Sequence, residues 1–139
     1  MIRFSALVLV PVLAAGGIAL AGTPPPSVQI HLAAQPGSKI TGTATIAHVS
    51  MDPPVVDVGI VLDGVFIPEN AYPAGVYRGT CAKVRPAPDY RLKPVIGGRS
   101  QTRVKPTVMK PGPYVVAVFD TSGTRSISCG ALPVMHHEK

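Results

Sequence analysis

After residue 21, apolar side chains recur at every second position, and no stretch repeats at the helical spacing. Val28, Ile30 and Leu32 alternate with Gln29 and His31, and Thr41, Thr43 and Thr45 with Gly42, Ala44 and Ile46. Val56, Val58, Ile60 and Leu62 alternate with Asp57, Gly59 and Val61. Successive side chains of a strand point to opposite faces, so this pattern makes strands with one buried side. The 16 prolines argue against long helices, because each removes a backbone donor and clashes with the preceding turn. Turn signals separate the runs at Pro36-Gly37-Ser38, Met51-Asp52-Pro53-Pro54, Asp63-Gly64, Lys110-Pro111-Gly112-Pro113 and Ser122-Gly123. The second half continues with a short strand from Gly75 to Thr80 and a proline-rich connection from Arg85 to Pro94. Thr102 and Val104 then alternate with Arg103 and Lys105, and Ile127, Cys129 and Ala131 with Ser126, Ser128 and Gly130. About seven or eight short strands with Gly/Pro turns predict an all-β antiparallel sandwich or barrel.

The run Tyr114 to Phe119 is apolar throughout, and two readings are open. It is a central strand covered on both faces, or one of its faces meets another subunit in a homodimer.

The chain opens on Met1-Ile2-Arg3, and Phe4 to Leu20 is almost unbroken apolar or small residues. Ala19-Leu20-Ala21 supplies the small-x-small pattern that a signal peptidase reads. A membrane anchor is the alternative, since the stretch approaches the length of a span. Pro11, the pair Gly16-Gly17 and the cleavage pattern favour a signal peptide that is removed. Thr23 stands where a lipoprotein would carry its lipid-bearing cysteine, so lipidation is not expected. The predicted layout is a signal peptide at 1–21, a Pro-rich leader at 22–27, one domain at 28–133 and a His-containing tail at 134–139. The predicted compartment is periplasmic or extracellular, with no membrane span left after cleavage.

Two cysteines in an exported chain, Cys81 and Cys129, are most simply a disulfide, the alternative being two unpaired buried thiols. Such a bridge closes a loop worth roughly 4 kcal/mol in the chain-entropy account.

Charge is uneven along the chain. From Gly22 to Tyr77 the only base is Lys39, against Asp52, Asp57, Asp63 and Glu69. From Arg78 to Lys110 stand Arg78, Lys83, Arg85, Arg91, Lys93, Arg99, Arg103, Lys105 and Lys110, against Asp89 alone. A molecule polarised in this way can attract anions such as lipid headgroups, lipopolysaccharide, nucleic acid or a small anion. The plainer reading is a set of solvated loops and strand faces. No aromatic residues are interleaved as a nucleic-acid stacking surface requires, so no specific nucleic-acid binding is expected.

Catalytic constellations are missing from the sequence. No serine lies in a nucleophile elbow, and there is no Gly-rich phosphate loop. Met135-His136-His137-Glu138 groups donors that copper or zinc accepts. His31 falls on the polar face of the first strand and His48 on the second, and both are further candidate ligands. A polar tail and satisfied surface histidines are the plainer readings of the same residues.

The segments "AYPAGVYRGTC", "LKPVIGGRSQTRV", "GPYVVAVFDTS" and "SISCGALP" resemble the Greek-key domain of copper/zinc superoxide dismutase and its bacterial relatives. The opening "SVQIHLAAQPGSKITGTATI" is similar to that fold's first hairpin, and the resemblance spans roughly residues 28–133. It implies a Greek-key β-sandwich and assigns Cys81 and Cys129 to the fold's disulfide. Departures from the family pattern decide the chemistry. Two copper-ligating histidines fall on Gly75 and Tyr77, and a third on Phe119. Residues 82–98, where the family's zinc ligands and bridging histidine belong, contain no histidine. Arg125 lies four residues before Cys129, where the family has its substrate-steering arginine three before. One residue of shift turns a strand side chain to the opposite face unless a bulge restores it.

Copper cycling needs imidazole or sulfur donors in fixed geometry, and neither glycine nor phenylalanine supplies one. The resemblance therefore implies an exported, non-catalytic scaffold without cofactor, with Tyr77 and Phe119 packed together where a relative holds copper. Two roles follow as expectations. One is a binding or structural module that meets an anionic envelope component, or another protein, through the basic 78–110 face. The other is copper handling through Met135, His136 and His137, with His31 or His48.

Overall fold

The alternation becomes nine antiparallel strands in the described residues, 27–85, 87–106 and 110–133, of a computed structural model. They are β1 (Ser27–Ala34), β2 (Thr41–Met51), β3 (Pro54–Asp63), β4 (Tyr72–Thr80), β5 (Lys83–Val84), β6 (Tyr90–Val95), β7 (Arg99–Val104), β8 (Tyr114–Phe119) and β9 (Ser126–Ala131). No helix among the described residues is long and apolar enough to cross a membrane. The strands form one curled sheet in the order β5-β4-β8-β9-β1-β2-β3-β7, with β6 paired to β4.

Register follows the hydrophobic pattern. Ile30 faces Ala44 and Leu32 faces Gly42, while Ala44 and Gly42 in turn face Ile60 and Leu62. Every one of these residues is buried, so a slip of one position would bring Gln29, His31 and Val61 inside instead. Leu32, Ile60, Val95, Val116 and Val118 are almost fully withdrawn from water. Each such side chain contributes about 1.5–3 kcal/mol of apolar burial.

The two ends of the curl meet at β6 and β7. Across this seam Lys93 N donates to Thr102 Oγ1 at 2.8 Å, and Ser100 Oγ donates to Lys93 O at 2.7 Å. Side-chain hydroxyls thus replace the main-chain ladder between the two strands. The proline-rich stretch Arg85–Pro94, expected as a connection, in fact contains the start of β6. Pro94 is tolerated because the β4–β6 register slips between Tyr72 and Ala74, leaving Lys93 and Pro94 outside the ladder. With β6 and the two-residue β5 added, the count exceeds the seven or eight expected.

Where the sheet passes from β9 to β1, Ala33 faces Cys129 and Ala34 faces Ser128. A Cβ on Gly130 would fall on the His31 carbonyl oxygen and within 2.8 Å of Ile30 Cγ2. Only glycine allows so close an approach of the two strands.

Candidate functional site

β8 is buried on both faces, as the first reading of its apolar run holds. Tyr114, Val116 and Val118 point into the main core. Val115 and Ala117 point outward and are covered by a second, smaller cluster with Tyr77 and Cys129, against which Cys81, Val84 and Phe119 pack. Of this strand only Phe119 retains partial exposure.

This outer cluster lies on the positions that the sequence marks out. Gly75 and Tyr77 share the outer face of β4, opposite Ala117 and Val115 respectively. The rings of Tyr77 and Phe119 lie 5.2 Å apart at an interplanar angle of 55°. Offset, tilted contacts of this kind are favoured by the ring quadrupoles. Cys81, just beyond β4, is bonded to Cys129 on β9 with a Cα–Cα distance of 5.8 Å. The bridge pins the segment after β4 across β8, and Asp89 N donating to Val76 O at 2.8 Å holds its far end.

These residues do not fit a copper ion. Gly75 has no donor atom, and a Cβ there would lie 2.9 Å from Pro88 Cβ and 3.0 Å from Tyr77 Cε2. The space a histidine side chain needs at Gly75 is filled by the Tyr77 ring and Pro88. Phe119 offers no donor either. Among the described residues, no three His, Cys, Asp or Glu side chains gather closely enough to hold a metal ion.

Arg125 is committed elsewhere. The β8–β9 register does slip between Val118 and Phe119, a bulge that the sequence does not announce. Even so, Arg125 Nη2 donates to Pro36 O at 2.7 Å, which holds the guanidinium at the β1–β2 turn against Gly37. Asp120 organises the turn before it, accepting from Ser122 Oγ at 2.7 Å and Thr124 N at 3.1 Å. These bonds, the Ser122 one foremost, hold its carboxyl below the usual aspartate value.

Burial raises the Tyr77 hydroxyl above the ordinary tyrosine value of 10.0, and the charge of Arg91 partly offsets the rise. The folded chain therefore keeps a proton that the unfolded chain releases. Stability from this group is present below about pH 10 and is lost as pH rises through the folded value. The urea midpoint is expected to fall on the alkaline side, and to fall less in Tyr77→Phe; equal slopes for the two proteins would contradict the assignment.

The basic residues divide into groups. Arg91 and Lys93 on β6 and Arg99, Arg103 and Lys105 on and just beyond β7 lie along the two strands of the seam, all exposed. Arg103 is neutralised by Asp57, through bonds of 2.9 and 3.2 Å that lower the Asp57 carboxyl and raise the guanidinium. No other ion pair occurs among the described residues, so Arg91, Lys93, Arg99 and Lys105 have no acidic partner there. Arg78 is apart from this row: it lies at the other end of β4 and donates to Pro111 O at 3.0 Å. Lys83 and Arg85 are exposed on the bridged segment, and Lys110 is exposed ahead of β8.

The histidines are not brought together. His31 is exposed on the outer face of β1, whereas His48 shares the inward parity of Ala44 and Ile46. The Nδ1 atom of His48 is buried with no hydrogen-bond partner among the described residues. Met135, His136 and His137 lie outside the described residues, as do the predicted signal peptide and most of the 22–27 leader.

One feature escaped the sequence pattern: the turns at one end of the sheet expose Val65, Ile67 and Ile96. The signal for it is the alternation in Val65-Phe66-Ile67, where Phe66 packs against the core and its two neighbours do not. No protein-family model, curated protein or solved structure matches the chain.

Proposed function

We propose that this is an exported, non-catalytic β-sandwich of the dismutase-like Greek-key type that binds an anionic component of the cell envelope. Support for the Greek-key part is the strand arrangement. β1, β2, β3 and β7 make one side and β6, β4, β8 and β9 the other, and the chain crosses between them after β3, β6 and β7. A bridge from the segment after β4 to β9 agrees with the position of the family's disulfide and with an oxidising compartment. The lost-catalysis part is supported by Gly75 and Phe119, which offer no donor atom, and by Tyr77, which offers a single phenolic oxygen where copper cycling needs imidazole or sulfur.

One observation carries the binding role: the row of Arg91, Lys93, Arg99 and Lys105 on neighbouring strands, exposed and without acidic partners among the described residues. Four like charges along one seam repel one another and are relieved by an external polyanion. Association with immobilised polyphosphate or lipopolysaccharide is expected to weaken steeply from 50 to 200 mM salt, as screening shortens toward about 8 Å. Replacing the four cations by glutamine removes on the order of 1 kcal/mol each at an anionic surface, a loss of hundreds-fold when combined. Binding that is indifferent to salt and to all four substitutions would refute the role.

A further inference from the structure

At one end of the sheet, the β3–β4 loop and the β6–β7 turn form a single joined surface. Leu62 N, near the end of β3, donates to Gly98 O at 2.8 Å and Gly97 N to Pro68 O at 3.0 Å, which ties the turn both to β3 and to the loop after it. Ile67 N donates to the Tyr72 hydroxyl at 3.0 Å, and Asn70 N to Ile67 O at 3.1 Å. Phe66 lies over Gly98, where a Cβ would be 2.6 Å from the ring, and meets Tyr72 edge-on at 6.4 Å. Gly64 packs against Lys39 at the neighbouring β1–β2 turn. The backbone here is thus held, and yet Val65 is 94% exposed, Ile67 55% and Ile96 56%.

A held surface that presents aliphatic side chains to solvent marks an interaction site. These three exposed aliphatic side chains stand on turns between strands and suit insertion into a soft apolar phase. Their electrostatic setting is set by the adjoining strands. Ile96 connects β6 to β7, so the cation row begins beside it, with Lys93 before and Arg99 after. The end itself carries Asp63 and Glu69 against Lys39, all exposed, so attraction comes from the row and not from the tip.

We infer that this end enters an anionic lipid bilayer: Lys93 and Arg99, the cations of the row nearest the tip, meet the headgroups, and Val65, Ile67 and Ile96 insert among the upper acyl chains. The combination is that of interfacial membrane binders, in which apolar area and basic charge act together. It rests on the proposed anionic-binding role and names the surface involved.

The chain contains no tryptophan, so Val65→Trp places a single reporter at the tip. The full oxidised chain carrying it is mixed with phosphatidylcholine vesicles containing phosphatidylglycerol, and separately with soluble polyphosphate. A blue shift on the anionic vesicles, quenching by brominated acyl chains and no shift with polyphosphate are expected. Adding Ile67→Ser and Ile96→Ser should reduce vesicle partitioning at least tenfold while leaving polyphosphate binding intact. Polyphosphate binding without any reporter shift on vesicles would overturn the insertion and leave the basic-row role standing. Failure to bind either would overturn both. A shift that needs no lipid and grows with protein concentration would assign the tip to a second copy of the chain, and the inference would fall.

Discussion

Replacing both cysteines, Cys81→Ser with Cys129→Ser, is expected to lower the unfolding free energy by about 4 kcal/mol. The two residues are 48 positions apart, so the bridge removes a large part of the unfolded chain's freedom. For a domain of this size, that corresponds to a fall of roughly 15–30 °C in melting temperature. A local effect adds to the global one. Cys129 is buried in the outer cluster, and Cys81 is the link that lays the segment after β4 over Val115 and Ala117. Without it, that segment retains Asp89 N to Val76 O, the β4–β5 pairing and packing by Val84 and Pro88. Melting of wild type with and without reductant, beside the double variant, tests this directly. A difference of less than about 1 kcal/mol would mean that the strand pairings hold the segment unaided.

Tyr77→Ala is expected to cost about 3–5 kcal/mol, in the range for removing a buried aromatic ring. Tyr77 is 5% exposed, packs on Phe119 and closes the space above Gly75. Removing it leaves Phe119, Val115 and Ala117 without their cover and opens a void that β4 and β8, paired backbone to backbone, have little freedom to close. Tyr77→Phe keeps the ring, and should retain most of the stability. If chemical denaturation shows Tyr77→Ala within about 1 kcal/mol of wild type, the outer cluster is surface decoration and not a second core.

Several parts of this architecture are legible in residue order alone. In β1, β2 and β3 the period of two specifies which side chains are buried, because a strand has only two faces and only one is apolar. Pro36-Gly37 specifies where the chain reverses, and Asp63-Gly64 where β3 ends, although the chain then crosses the sheet through the loop 64–71 and forms no tight hairpin. Cys81 and Cys129 were readable as a pair because only two thiols exist. The strand β6 was not readable, since Pro94 argues against a strand and its tolerance depends on a register slip against β4. The commitment of Arg125 to Pro36 was equally hidden. It follows from how the β8–β9 turn stands over the β1–β2 turn, residues that sequence separates widely.

The outer cluster shows the division most clearly. Sequence alone determined that Gly75 and Phe119 carry no donor atoms, since that is a property of the residues themselves. It also determined the all-β class, because alternation over so many segments has no helical solution. The tertiary structure decided that the Tyr77 ring and Pro88 fill the space above Gly75, and that Arg91, Lys93, Arg99 and Lys105 align along one seam. It also decided that Val65, Ile67 and Ile96 share one exposed end. The physical reason is range: periodicity reports which face of its own strand a residue occupies, whereas neighbours across the seam and over the outer cluster are chosen by how the whole sheet curls.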